Sequence, residues 1–209
     1  MLRIVALKPQ KKKRYAVTFD DGRTLMLACD TVWDFNLQEG TELDDKRFAE
    51  LMRAAVRAKI RAAALKKLSY RDYSSAELTK KLSEDFRSTA VIREIVGRLA
   101  EEDIINDERY ADRLAYKYIM VKRFGIHRAR RELMLHGIER PAADEALSRY
   151  SGSTQDNLAV LLEKKYARFL TDREDRSAVE RVKSSLVRLG YSFTEVNRAI
   201  DEFFSMEEQ

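Results

Sequence analysis

Apolar residues alternate with polar ones only near the start of the chain. Tyr15, Val17 and Phe19 share one face of a short extended run, Asp20-Asp21-Gly22-Arg23 follows, and Leu25-Met26-Leu27-Ala28-Cys29 makes a second run. Two such runs joined by Asp21-Gly22 predict a β-hairpin, because Asp-Gly accepts the positive φ that tight hairpin turns need. Leu2 to Leu7 is a candidate third strand. Asp30 or Thr31 is placed to cap a short helix carrying Val32, Trp33, Phe35 and Leu37, which stops near Glu39-Gly40. A module this thin is expected to lean on the chain that follows it.

From Asp44 the period changes. Val56, Ile60, Ala64 and Leu68 recur every fourth residue in an Ala-rich stretch, with Asp44 or Asp45 as N-cap, and predict a long amphipathic helix. Beyond it, Leu82, Leu133 and Leu186 mark a threefold repeat with offsets of 51 and 53 residues. In the same register lie Leu78, Ala129 and Val182; Ile92, Ala143 and Val196; Ile95, Ala146 and Ala199; Val96, Leu147 and Ile200; and Leu99, Tyr150 and Phe203. Upstream, Leu68, Ile119 and Leu170 keep an offset of 51, so the third unit has two extra residues between its first two helices. Each unit reads as three helices. The second ends near Phe86, Gly137 or Gly190, and the third begins at Ser88-Thr89, Pro141 or Ser192-Phe193-Thr194. Gly137 and Gly190 suit the left-handed residue that closes a helix, and Pro141 suits a first turn. Phe86 requires a different turn.

The expected fold is therefore mainly α: an N-terminal β-hairpin element over residues 1–43, then three-helix repeats at 44–100, 101–152 and 153–209, stacked into an elongated array because no single amphipathic stripe buries itself. The acidic end, Met206-Glu207-Glu208-Gln209, is expected to fray.

Composition agrees with long exposed helices: 36% of the 209 residues are charged, with 7 Gly and 2 Pro. One cysteine, Cys29, placed in the second strand, supplies neither an internal disulfide nor a thiolate cage. No apolar run matches a secretory h-region or a membrane span, so a cytoplasmic protein is expected. The net charge of +5 is uneven: residues 1–71 carry 16 basic against 9 acidic side chains, which points to an anionic partner.

Three basic groups are candidates for partner or DNA contact. Arg53, Arg57 and Arg61 line one stripe of the long helix; Lys11, Lys12, Lys13 and Arg14 precede a strand; Lys122, Arg123, Arg128, Arg130 and Arg131 surround a helix start. Such groups serve phosphates without sequence preference, serve acidic protein surfaces equally, or form a solvated face. Arg128 is also spaced to pair with Glu132.

Other constellations read as structure. Asn106 or Asp107 before Glu108 suits N-capping, as does Ser74-Ser75-Ala76-Glu77. His127 and His136, nine residues apart, fall on opposite sides of one helix, so no metal site is expected. Tyr116, Tyr118, Phe124, Tyr166, Phe169, Phe203 and Phe204 fall mostly at repeat positions and are assigned to the core. No phosphate-binding glycine loop and no nucleophile, base and positioning group stand in recognisable arrangement, so neither a cofactor nor an enzyme is expected.

Ser74-Ser75-Ala76-Glu77-Leu78-Thr79-Lys80-Lys81-Leu82, Ile104-Ile105-Asn106-Asp107-Glu108-Arg109-Tyr110-Ala111 and Phe124-Gly125-Ile126-His127-Arg128-Ala129-Arg130-Arg131-Glu132-Leu133, taken together, resemble the RecX family over nearly the whole chain. Two positions depart from the family pattern. Asp103 stands where a glycine is usual, and Asp85-Phe86 where Lys-Gly is common. The resemblance implies a non-enzymatic regulator of the RecA recombinase in DNA repair, homologous recombination and the SOS response. Such a protein lodges in the RecA nucleoprotein filament on single-stranded DNA and restrains its growth, ATP hydrolysis, strand exchange and coprotease activity. Internal repetition makes a monomer sufficient. The rival readings are a generic DNA-binding protein and a helical protein adaptor.

Overall fold

The structure is a computed structural model describing residues 1–207. Two compact units divide the chain: Met1–Asp72 with Leu78–Glu102, and Tyr73–Glu77 with Asp103–Gln209.

In the first unit the expected hairpin is part of a four-stranded antiparallel sheet. Strands β1 (Leu2–Gln10), β2 (Arg14–Phe19), β3 (Thr24–Ala28) and β4 (Glu42–Leu43) lie in the order β3-β2-β1-β4. Tyr15 pairs Leu27, Ile4 pairs Phe19 and Leu2 pairs Leu43, with a register shift between Ile4 and Ala6 that bends β1. Ile4, Val17, Phe19, Leu27 and Leu43 fill one face. Cys29 is not in β3. It opens helix α1 (Cys29–Asp34), whose N-cap is Ala28 rather than Asp30 or Thr31, because the chain turns as soon as β3 loses its partner strand. Asn36 and Gly40, both at positive φ, then return it to β4.

Helix α2 (Asp45–Leu68) is capped by Asp44, whose carboxylate accepts the Arg47 N–H at 2.7 Å. Its first half belongs to the sheet: Leu51 is fully buried with the sheet residues and the Phe48 ring stands edge-on to Phe19 at 5.6 Å. The second half buries Ile60 and Ala64, in the unit that also buries Leu82, Ile92 and Leu99. The predicted stripe is thus only partly inside. A four-residue step turns about 400°, so the row drifts about 40° per step. Ile60 and Ala64 sit at its centre, while Val56 is exposed and Leu68 half-buried.

Helices α3 (Ser75–Asp85) and α4 (Thr89–Glu101) complete the first repeat. The second repeat is α5 (Asp107–Tyr116), α6 (Ile126–Leu135) and α7 (Arg140–Ser148). The third is α8 (Ser151–Leu161), α9 (Arg176–Arg188) and α10 (Phe193–Glu207). Helix α5 runs on through a widened π turn at Lys117–Val121, and α8 through one at Leu162–Tyr166 followed by a 3-10 turn at Ala167–Phe169. The aligned leucines Leu82, Leu133 and Leu186 are fully buried; of the other positions of the repeat register Leu68, Tyr150, Ala199 and Phe203 are half-buried and the rest are buried. Helix α10 continues to Glu207, so the expected tail is helical at Met206 and Glu207. Glu208 and Gln209 lie outside the described residues.

Capping chemistry sets the helix starts. Ser74 Oγ accepts the Glu77 N–H, and Asn106 Oδ1 accepts that of Arg109. At α10 the box is reciprocal: Ser192 Oγ accepts from Glu195 N, and Glu195 accepts from Ser192 N at 2.7 Å.

Within the second unit, the turn between the second and third helices of one repeat rests on the start of the second helix of the repeat before it. Ser74 Oγ donates to the His136 carbonyl at 2.6 Å. One repeat later, at the equivalent positions, the Gly125 N–H donates to the Leu189 carbonyl at 2.9 Å, and the His127 N–H to that of Gly190 at 3.1 Å. Both turns place a left-handed glycine at the contact, Gly137 with φ 78° and Gly190 with φ 97°. A methyl group at Gly190 would lie 2.3 Å from Arg128 Cβ, and one at Gly137 2.9 Å from Ala76 Cβ. These turns thus need glycine both for their φ and for the close approach.

Candidate functional site

The structure sorts the predicted basic residues into two kinds. Arg57 reaches across to α4, its Nε 3.1 Å from both Glu94 oxygens, and Glu94 is shared with Arg98. Arg61 forms a two-pronged pair with Glu102 at 2.7 and 3.1 Å. That hydrogen bond holds the Glu102 carboxyl below its ordinary range and raises the guanidinium of Arg61. Arg130 binds Asp144 of α7. These three arginines connect helices. Arg53 and Arg131 are exposed, as are Lys11, Lys12, Lys13, Arg14 and Lys122, and among the described residues none of these seven has a carboxylate within ion-pair reach.

Lys11, Lys12 and Lys13 form the turn between β1 and β2. Lys12 and Lys13 hold positive φ values of 63° and 50°, an arrangement that presents consecutive side chains at the loop tip. Lys12, Lys13 and Arg14 line a groove of about 450 Å³ whose floor includes Met26, Met52 and Val56. The exposure of Val56 on α2 follows from its place in this groove.

In the second unit, Lys122 and Arg123 form the bend between the π turn and α6. Arg123 has φ 51°, and its carbonyl accepts the buried hydroxyl of Tyr191 at 3.0 Å. Burial pushes the Tyr191 hydroxyl far above its ordinary value, so it stays a donor. Arg128 lies with its guanidinium carbon 3.9 Å from the centre of the Phe124 ring, and Glu132 stands 3.7 Å from its Nε, beyond hydrogen-bond reach. The predicted cluster is therefore split. Arg128 and Arg130 pack against the repeat, while Lys122 and Arg131 face outward.

The two histidines do different things. His127 is exposed. His136 follows α6 and meets the hydroxyls of Tyr118 at 3.1 Å and Tyr110 at 3.4 Å, with Glu77 3.8 Å away. Desolvation raises the Tyr118 hydroxyl, with Glu132 adding to it.

Sequence reading missed Asn157, a buried amide on α8 that donates to the Ile119 carbonyl at 2.9 Å inside the π turn of the second repeat. Its sequence signal is weak, because the same buried face carries Thr154 as well as Leu158 and so has no clean apolar stripe for Asn157 to interrupt. The aromatics assigned to the core are mostly buried or half-buried, but Tyr116 and Phe169 are 55% and 47% exposed. No helix of the described residues is long and apolar enough to cross a membrane.

Comparison with known proteins places this geometry. Residues 106–147 match the family model for the second three-helix domain of RecX. The chain is 28% identical over 203 residues to the regulatory protein RecX of Limosilactobacillus reuteri, spanning 97% of this chain and 77% of that one. It is 24% identical over 209 residues to that of Clostridioides difficile, spanning 98% and 97%. A crystal structure of a regulatory protein RecX superposes with a TM-score of 0.78 at 26% identity, over 96% of this chain and 100% of the other. One from Lactobacillus salivarius gives 0.64 at 28% identity, over 70% and 95%.

Proposed function

This chain belongs to the RecX family of regulatory proteins, and from that premise we propose that it binds the RecA nucleoprotein filament on single-stranded DNA and restrains filament extension, ATP hydrolysis, strand exchange and coprotease activity. The observation that carries this reading is likeness to regulators of that name across nearly the full length of the chain. It acts by binding, without a catalytic step of its own, as a cytoplasmic protein working as a monomer.

The proposed contacts are the basic groups, in two roles. Lys11, Lys12, Lys13, Arg14, Arg53, Lys122 and Arg131 are exposed and meet phosphates or acidic recombinase surface directly. Arg57, Arg61, Arg128 and Arg130 are held by Glu94, Glu102, Phe124 and Asp144, and keep the helices beneath those contacts in place. Arg123 sets the bend that carries Lys122.

The test is the steady-state ATPase of the recombinase on excess single-stranded DNA, titrated with this protein well below one per recombinase monomer. Inhibition at those ratios supports filament regulation. Inhibition only once the DNA is saturated favours a generic DNA-binding protein, and no effect at any ratio favours a protein adaptor.

A further inference from the structure

The second and third repeats carry corresponding groups of three side chains, of which the arginine is kept, one aromatic is changed for another and the second aromatic is lost. In first-helix register, offset 51, Phe169 stands where Tyr118 does. In second-helix register, offset 53, Arg181 stands where Arg128 does and Ser177 where Phe124 does. In the second repeat the Phe124 ring contacts both of the others. It is stacked on Tyr118, with centroids 5.7 Å apart and planes 12° from parallel, and it has the Arg128 guanidinium 3.9 Å from its centre. In the third repeat the aromatic ring and the arginine remain, and the ring between them in sequence is a serine.

A cleft of about 860 Å³ opens there. Phe169, Ser177 and Arg181 line it together with Tyr166, Arg176 and Arg188. Its size is that of a small-ligand site. Phe169 is half exposed, with the Arg168 guanidinium over its ring at 4.6 Å from the centre, whereas Tyr118 is buried. Arg181 is fixed along α9 by its Nε, which donates to the Ser177 carbonyl at 3.2 Å. Among the described residues, none of Arg176, Arg181 and Arg188 has a carboxylate within ion-pair reach, and Glu180 is the one acidic residue of the lining.

We propose that this cleft receives one unstacked base of a single-stranded nucleic acid, its ring against Phe169 in the place Phe124 fills one repeat earlier, its flanking phosphates on Arg176, Arg181 and Arg188. The second repeat shows that a flat ring is accommodated in contact with both a first-helix aromatic and a second-helix arginine. The three arginines select an occupant that brings negative charge beside a ring, and a nucleotide chain supplies one phosphate for every base. A base inside a duplex already has both faces covered, so the site selects single strands. Stacking is tolerant of base identity, so little sequence preference is expected. The inference stands apart from the filament reading, since single strands can dock here whether or not a recombinase is inhibited.

The experiment uses the full chain and an oligothymidylate carrying one central 2-aminopurine, whose fluorescence falls when it stacks on an aromatic ring. Wild-type protein should quench it on binding. Phe169→Ala should bind about tenfold more weakly and lose the quench. Ser177→Phe, which fills the cleft with the ring the second repeat already has, should lose the quench while its thermal melt stays at or above that of the wild type. Quenching that is unchanged in both variants overturns the proposal, as does a preference for duplex. Competition by an acidic phenylalanine peptide, with no oligonucleotide binding in the cleft, also overturns it and assigns the site to a protein. Recombinase inhibition without quenching defeats this inference alone; quenching without inhibition defeats only the filament reading.

Discussion

Asp103 Oδ2 accepts a hydrogen bond from Arg109 Nη1 at 2.9 Å while the Asp103 backbone holds a φ of 54°. The left-handed backbone explains the glycine usual at this position in the resembling family. Aspartate can stand there because its side chain is fixed by the Asn106 amide at 2.8 Å and by Arg109. The Asn106 bond, then Arg109, hold its carboxyl below the ordinary 3.8. A carboxyl lowered in the folded state stabilises above its unfolded value, and that contribution is lost as pH falls through the folded value. Asp103→Asn, which keeps the shape and tolerates the backbone, should have a lower urea midpoint than wild type at pH 7. The gap should close as the medium is taken below pH 3.8. The pair is exposed, so the gap is small. A gap of constant size down to the acid limit of folding would assign it to shape rather than charge.

Gly190→Ala and Gly97→Ala should move stability in opposite directions. A methyl at Gly190 meets Arg128 Cβ and backbone within 3 Å at a φ of 97°, costing about 2 kcal/mol or more. Gly97 lies inside α4 with no atom within 4 Å of the methyl that alanine would bring, so the substitution there should gain about 0.5–1 kcal/mol. Denaturant unfolding of both reads the contrast directly, and equal effects would refute the packed joint.

Asn157→Leu removes the donor to the Ile119 carbonyl and leaves that acceptor buried. The expected loss is about 1–3 kcal/mol. Hydrogen exchange should show the loss locally, as faster exchange of amides around the π turn at Lys117–Val121.

Arg130 and Arg131 are neighbours with different tasks. Arg130→Ala leaves Asp144 to Arg140, 3.7 Å away, and should cost roughly a few tenths to 1 kcal/mol. Arg131→Ala, with Lys122→Ala, should leave the melt unchanged while weakening recombinase inhibition and flattening its salt dependence. Wild-type inhibition by that double variant would remove this surface from the proposal.

The repeat was legible in sequence because its signal is apolar side chains at fixed spacing, and burial of Leu82, Leu133 and Leu186 follows from that alone. The caps at Asp44, Ser74 and Asn106 were legible because they are short-range chemistry, while Ser192 was read only as part of a helix entry and its reciprocal box with Glu195 was not. What the basic residues face was not. Arg57 and Glu94 are 37 positions apart, Arg61 and Glu102 are 41 apart, and Asp144 approaches Arg130 only when α7 folds back on α6. Helical period fixes which residues share a stripe; it is silent on which helix covers it. Strand β4 was hidden likewise, since Leu2 pairs Leu43 across the whole N-terminal segment.

The glycine turns also constrain how a chain of this kind can lengthen. Each of Gly137 and Gly190 answers to a repeat lying before it, whereas the first such turn carries Phe86 and has no earlier repeat to meet. A duplication that copied the third repeat onto its own end would bring the turn glycine along but would set it against Ala178, which stands where Gly125 does, and a Cβ at Gly125 would lie only 2.2 Å from the Gly190 backbone. A copy of the first repeat inserted downstream would set a phenyl ring where there is less than 3 Å of room. Lengthening of such a protein by gene duplication therefore asks for small residues on both sides of every new joint, a constraint written largely in a single residue type.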